Sequence, residues 1–156
     1  MSSTSIAITP VPWDHPDSIH LRALQRTEIN SLGGCEPGVP PSAADVPIFL
    51  IAYRDDVPVG CGGLRPLSSS AAEVKRMFVD PGHRGPVQGS SSSVARLLLE
   101  SLEKEARARG WTELLLETGA FLVKARRFYE RCGFAQCKLF GGYTESEHSV
   151  CYRKEL

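Results

Sequence analysis

Residues 83–93 read His-Arg-Gly-Pro-Val-Gln-Gly-Ser-Ser-Ser-Ser and lead directly into a long amphipathic segment. The first turn of a helix carries unpaired backbone N–H groups and the positive end of the helix dipole, so it holds an anion wherever small residues let one approach. Gly85, Gly89, Ser90, Ser91, Ser92 and Ser93 meet that steric condition, and the serines add hydroxyl donors. The same residues also build ordinary loops and helix caps. Two specific phosphate motifs are excluded by direct reading. The P-loop pattern needs a lysine that Gly-Pro-Val-Gln-Gly-Ser-Ser lacks, and the dinucleotide pattern beginning at Gly60 fails at Arg65.

Two carboxylates stand where proton transfer is feasible. Glu73 shares a strand face with Lys75 and Met77 and could act through a water molecule. Glu117 ends an apolar strand beside Thr118-Gly119, where loss of solvent raises a carboxyl pKa toward neutrality. Each is also compatible with a strand-edge ion pair to Arg76 or Lys75. His148 is a lone histidine on a terminal strand, more often a structural position than a catalytic one. The five cysteines, Cys35, Cys61, Cys132, Cys137 and Cys151, form no CxxC pair and no zinc spacing with any His pair. No metal site is expected, and the thiols read as reduced and mostly buried in a cytoplasmic protein.

These residues have to be positioned by regular elements. Ile6, Ile8 and Val11 give a first strand, and Asp14 ahead of Pro16 signals a helix carrying Ile19, Ala23, Leu24 and Ile29 that stops at Gly33-Gly34. A Pro- and Gly-rich loop runs to Val46. Strands follow at 48–54 and 57–64 around the polar turn Asp55-Asp56, and a third at 73–79 alternates charged and apolar residues. Val94, Leu97, Leu98, Leu102 and Ala106 form one apolar stripe on a helix over 91–109, closed by Gly110. Residues 111–117 form a strand whose apolar centre suggests burial on both faces. A helix with Leu122, Ala125, Phe128 and Cys132 ends at Gly133, and two strands flank Gly141-Gly142. The order β-α-β-β-β-α-β-α-β-β, with neither repeat nor linker, predicts one mixed α/β (α+β) domain over 1–156.

Taken in that order, Glu-Val-Lys-Arg-Met-Phe-Val-Asp-Pro-Gly-His-Arg-Gly, the long helix, Leu-Leu-Leu-Glu-Thr-Gly and Ala-Arg-Arg-Phe-Tyr-Glu-Arg-Cys-Gly-Phe resemble the GNAT acyltransferase superfamily. Ala125, Tyr129, Gly133 and Phe134 match its A-x-x-x-Y-x-x-x-G-F segment at the correct spacings. The resemblance covers about residues 47–156. It implies a mainly antiparallel sheet splayed around a coenzyme A cleft, with helices on both faces. It also implies that backbone groups of Met77, Phe78 and Val79 hold the pantetheine and thioester. The pyrophosphate would go to the segment from Arg84 and Gly85 to Ser93 and Ala95, with Ala125 and Phe128 alongside, and Tyr129 would act as acid toward the departing thiolate. The loop departs from the family pattern, because roughly six extra residues separate Arg84-Gly85 from Ser93 and Ala95. Either Ser90–Ala95 makes the cradle, or Arg84–Gly89 makes it and the helix begins later. Serine tolerates positive φ poorly, so weaker coenzyme A binding, or a loop that orders on binding, is expected.

What the resemblance implies for activity is acetyl transfer from acetyl-CoA to a primary amine by direct attack in a ternary complex. The resemblance gives acceptor recognition to the N-terminal helix, the Gly33–Val46 loop and Phe140–Tyr143; Arg22, Arg26, Glu28 and Arg65 are candidate contacts, each more often simply a surface charge. Composition narrows the acceptor. The 18 Lys+Arg balance 18 Asp+Glu for a net charge of zero, which argues against nucleic acid or anionic membrane as partner and favours a small-molecule amine. No apolar run reaches the ~20 residues of a membrane span, and the N-terminal stretch lacks a secretory pattern. A monomer or homodimer is expected. The rival reading is a non-catalytic acyl-CoA-binding or regulatory module, motivated by the altered loop.

Overall fold

The computed structural model describes residues 5–34, 39–88 and 92–156. In chain order they form β1 (Ile6–Pro10), α1 (Pro16–Ser31), β2 (Ile48–Arg54), β3 (Val57–Pro66), β4 (Ala71–Val79), α2 (Val94–Ala108), β5 (Glu113–Gly119), α3 (Val123–Arg131), β6 (Ala135–Cys137) and β7 (Ser149–Glu155). The seven strands make one sheet in the order β1-β2-β3-β4-β5-β7-β6, antiparallel everywhere except between β4 and β5. This is the mixed, mainly antiparallel sheet that the family resemblance implies. Leu21 of α1 packs on one face with Phe49, Ile51, Cys61 and Phe78. Leu98, Leu99 and Leu102 of α2 and Tyr129 of α3 pack on the other. Among the described residues no helix is long and apolar enough to cross a membrane.

Local chemistry accounts for the boundaries. Asp55 and Asp56 join β2 to β3 with φ of 49° and 65°; Asp tolerates the left-handed region, and a two-residue turn with both φ positive matches the twist of a hairpin. Ser93 caps α2 by accepting from the Arg96 N–H at 3.2 Å, so the helix starts at Val94 rather than at Ser91. At α1 the cap is His15, whose Nδ1 accepts from the Asp17 N–H at 3.1 Å, and not Asp14.

The face of α1 differs more substantially from expectation. Ile19 is 52% exposed, whereas Ser18 and Leu21 are fully buried. The helix turns Arg22 and Gln25, rather than Ile19 and Ala23, toward the strands. Strand β5 is not buried on both faces either. Leu114 and Leu116 point into the α2 core, while Leu115 and Glu117 on the opposite face are only half-buried. The reason is the cleft beside it.

Candidate active site

Strands β4 and β5 pair only at Ala71–Glu113, Ala72–Leu114 and Glu73–Leu115. Beyond those three rungs Val74–Val79 and Leu116–Gly119 run on without pairing to each other, which opens a V in the sheet. On its other edge β4 stays paired to β3. Its register slips there, with Gly63 opposite Lys75 but Cys61 opposite Phe78. The extra residue is accommodated at Arg76, whose φ of 61° is left-handed, and a bulge of this kind bends the strand and re-aims its backbone. Two displaced carbonyls are satisfied by side chains. Cys61 Sγ donates to Arg76 O at 3.2 Å, and Gln25 Nε2 donates to Met77 O at 3.0 Å. Met77, Phe78 and Val79 therefore line the open arm of the V with their positions fixed from both neighbouring elements.

The loop after β4 folds back on itself. Gly85 takes φ of 100°, Val87 N–H donates to Ser92 O at 2.7 Å, and Pro86 and Ser93 form an isolated bridge. Gly89, Ser90 and Ser91 lie outside the described residues. Gly85, Pro86 and Ser93 meet Phe128, Arg96 and Arg131 around a hollow of about 270 Å³ at the N-terminus of α2. Gly85, Ser93 and Phe128, three of the residues expected to bind the donor, are thus brought together. Ala95 and Ala125 are half-buried against the adjoining core. Arg96 and Arg131 were not anticipated; they sit one turn into α2 and at the end of α3, where only the packing of the two helices reveals their convergence. Arg84 points elsewhere. Its Nε donates to Val79 O at 2.8 Å, and its Nη2 donates to both Glu28 carboxylate oxygens at 2.9 and 2.8 Å.

The carboxylates occupy the α1 face of the V. Glu73 is completely buried. Its Oε1 accepts from Arg65 Nε at 3.1 Å and Nη2 at 2.5 Å, and its Oε2 accepts from Tyr143 Oη at 2.6 Å. Lys75 Nζ donates to the same Tyr143 hydroxyl at 2.8 Å and lies 3.7 Å from Glu73 Oε2. Burial and the Glu73 charge both push the Tyr143 phenol far above its ordinary range. Glu117 is half-buried on the diverging part of β5, and its Oε2 accepts from Ser149 Oγ at 2.5 Å. Tyr143 was expected only as part of an acceptor-side segment; its contact with Glu73 joins residues too far apart in sequence for any local pattern to signal. His148 is exposed.

Tyr129 lies on α3 against Phe128 and Phe134, with ring centroids 5.2 and 5.7 Å away. It is 9% exposed, and burial raises its pKa well above that of a free phenol. Among the described residues, no group of three or more His, Cys, Asp or Glu is placed to hold a metal ion.

Comparison with known proteins agrees with this architecture. The model of the acetyltransferase (GNAT) family matches residues 40–134. An IAA acetyltransferase of Azospirillum brasilense is 40% identical over 109 residues, 69% of this chain and 67% of that one. A Klebsiella pneumoniae structure assigned to the acyl-CoA N-acyltransferases superposes with a TM-score of 0.81 at 30% identity, covering 99% of each chain. A GNAT family acetyltransferase from Elizabethkingia anophelis with acetyl-CoA bound gives a TM-score of 0.71 at 18% identity, over 97% of this chain and 98% of that one. The sheet, its opening and the helix at the mouth are those of an acyltransferase. The chain belongs to the GNAT acetyltransferase family.

Proposed function

We propose that this protein transfers an acetyl group from acetyl-CoA to a primary amine of a small molecule, in a ternary complex and without a covalent enzyme intermediate. The observation that carries the reading is the V between β4 and β5, which leaves Met77–Val79 with an open edge beside a small-residue helix N-terminus. The donor's pantetheine arm pairs with that edge, as a short extra strand would. Its pyrophosphate meets the first turn of α2 around Gly85 and Ser93, with Arg96 and Arg131 supplying positive charge. The acetyl-CoA carried by the Elizabethkingia anophelis neighbour supports this choice of donor.

The reaction balances without a metal or redox partner. The amine nitrogen attacks the thioester carbonyl carbon, the C–N bond forms and the C–S bond breaks. A β4 backbone N–H polarises the carbonyl oxygen as it gains charge. The amine gives up a proton, and of the two carboxylates Glu117 is the one half-open to the V, whereas Glu73 is enclosed by Arg65 and Tyr143. Glu117 therefore receives the proton, directly or through water, and Glu73 anchors the acceptor side. Tyr129, kept protonated by burial, donates to the departing thiolate.

A thiol-release assay with acetyl-CoA across a panel of primary amines tests this. Release that depends on the amine supports transfer. Binding of acetyl-CoA without release for any amine supports a non-catalytic module instead.

A further inference from the structure

Beside the Leu21 that packs into the apolar cluster, Arg22 and Gln25 of α1 each carry one polar group that is incompletely matched. Gln25 commits its Nε2 to Met77 O at 3.0 Å, which leaves Oε1 as the free acceptor of that amide. This Oε1 is buried and has no hydrogen-bond partner. Three residues earlier, Arg22 stacks its guanidinium 3.8 Å over the Trp13 ring and donates from Nη2 to Trp13 O at 2.8 Å. Its Nε is likewise buried without a hydrogen-bond partner. Buried polar atoms are nearly always paired, so each exception calls for a reason. Here a donor and an acceptor are exceptions together, on one turn of one helix.

The electrostatics have a sign. The Arg22 guanidinium is held below its ordinary range first by burial and then by the Arg76 cation; Asp14 opposes the shift and is outweighed. Arg76 stands at the left-handed bulge residue immediately before Met77. The two arginines also face Cys61, whose thiol burial holds in its neutral form. A carboxylate placed between helix and bulge would accept from Arg22, whose planar guanidinium fork it suits better than any neutral group does. Side chains three apart on a helix have Cβ atoms about 5–6 Å from each other, so one small molecule reaches both Arg22 and Gln25.

From this juxtaposition we infer that the acceptor is an amino carboxylate, its carboxylate held by Arg22 on the Arg76 side and its amine received at Gln25 Oε1. Met77, which Gln25 also touches, is where the donor's thioester sits, so the amine is delivered to the carbonyl it attacks and the product is an N-acetyl amino acid. The inference rests on the acetyl-transfer reading for its chemistry, but it concerns binding and is tested as binding.

The experiment is calorimetric titration of the full-length protein, saturated with coenzyme A, against amine pairs that differ by one carboxylate: phenethylamine and phenylalanine, butylamine and 4-aminobutanoate. The carboxylate member of at least one pair binds about tenfold or more tighter, the worth of one charge-assisted hydrogen bond. Arg22→Gln abolishes that preference and Arg22→Lys keeps part of it, while coenzyme A affinity stays as in the parent. Equal affinity within both pairs overturns the inference, and so does a preference undiminished in Arg22→Gln. If that variant does not fold, the comparison within pairs on the parent protein decides. Thiol release on the same pairs separates the two readings. Preference in binding with no release retains this inference and sinks acetyl transfer, while release with no preference does the reverse.

Discussion

Tyr143 donates its hydroxyl to Oε2 of Glu73 at 2.6 Å, from a short turn between β6 and β7 to the middle of β4. The bond pins that turn to the strand that lines the V. It also completes the coordination of Glu73, whose other oxygen is taken by Arg65. Arg65, Tyr143 and Lys75 together hold this buried carboxylate in place.

Glu73→Gln therefore acts first on stability. It leaves Arg65 and Lys75 facing a neutral amide in a buried setting, and breaking a buried pair from one side costs about 3 kcal/mol or more. The urea midpoint should fall accordingly, with Lys75→Met restoring part of the loss in the double variant. A loss below about 0.5 kcal/mol, the size of an ordinary surface change, contradicts the anchoring role.

Tyr129→Phe acts on the reaction instead. Among the described residues its hydroxyl has no hydrogen bond to lose, so the thermal midpoint should barely move. The rate of thiol release should drop about 100-fold or more, the usual worth of a positioned general acid. An unchanged kcat, measured with the best acceptor of the amine panel, removes Tyr129 from the mechanism.

Arg96 and Arg131 flank the hollow at the start of α2. Changing either to Gln should raise the coenzyme A Kd by about threefold to tenfold, with the difference shrinking as salt is added, because both side chains are exposed and screened. Titration at two ionic strengths reads this. An unaltered Kd in both variants places the pyrophosphate elsewhere.

Alkaline pH should weaken the fold in a defined window. Burial raises Cys61 from 9.0 to about 12 and, partly offset by a backbone hydrogen bond at Phe140, Cys151 from 9.0 to about 11. Burial, then the Asp17 hydrogen bond, raises Tyr53 from 10.0 to about 12. Above pH 9 the unfolded chain releases these protons while the native one keeps them, so stability declines with rising pH until the native groups titrate too. Urea unfolding between pH 8 and 12 should show a falling free energy starting near pH 9. A flat or rising curve is the contrary result.

Much of the site's frame is legible in the residues. The apolar stripe of α2 and the Asp-Asp turn rest on local spacing and occur where spacing puts them, while the strand before α3 runs two residues further, to Gly119, than the Thr118-Gly119 turn expected there. The resemblance to the family likewise stands on contiguous segments. What sequence misses is long-range or contrary to pattern. Apolar periodicity assigns Ile19 and Ala23 to the core, yet α1 buries Ser18 and Leu21, because Leu21 seats on the cluster of Phe49, Ile51 and Phe78 while Ser18 Oγ donates to Pro12 O. The Arg65–Glu73–Tyr143 cluster draws on three separate elements, and no window holds them together. Arg96 and Arg131 share a hollow only after two helices have packed.

The central claim is that the donor's thioester arm lies in the V between β4 and β5. Backbone amide NMR during titration with acetyl-CoA tests it most directly. The largest shifts are expected at Phe78 and Val79 and at Ser93–Arg96, saturating together with a single Kd. Shifts centred instead on the hollow of about 330 Å³ at the far end of α2, around Val11, Ile48 and Arg109, or no shifts at saturating ligand, would contradict it.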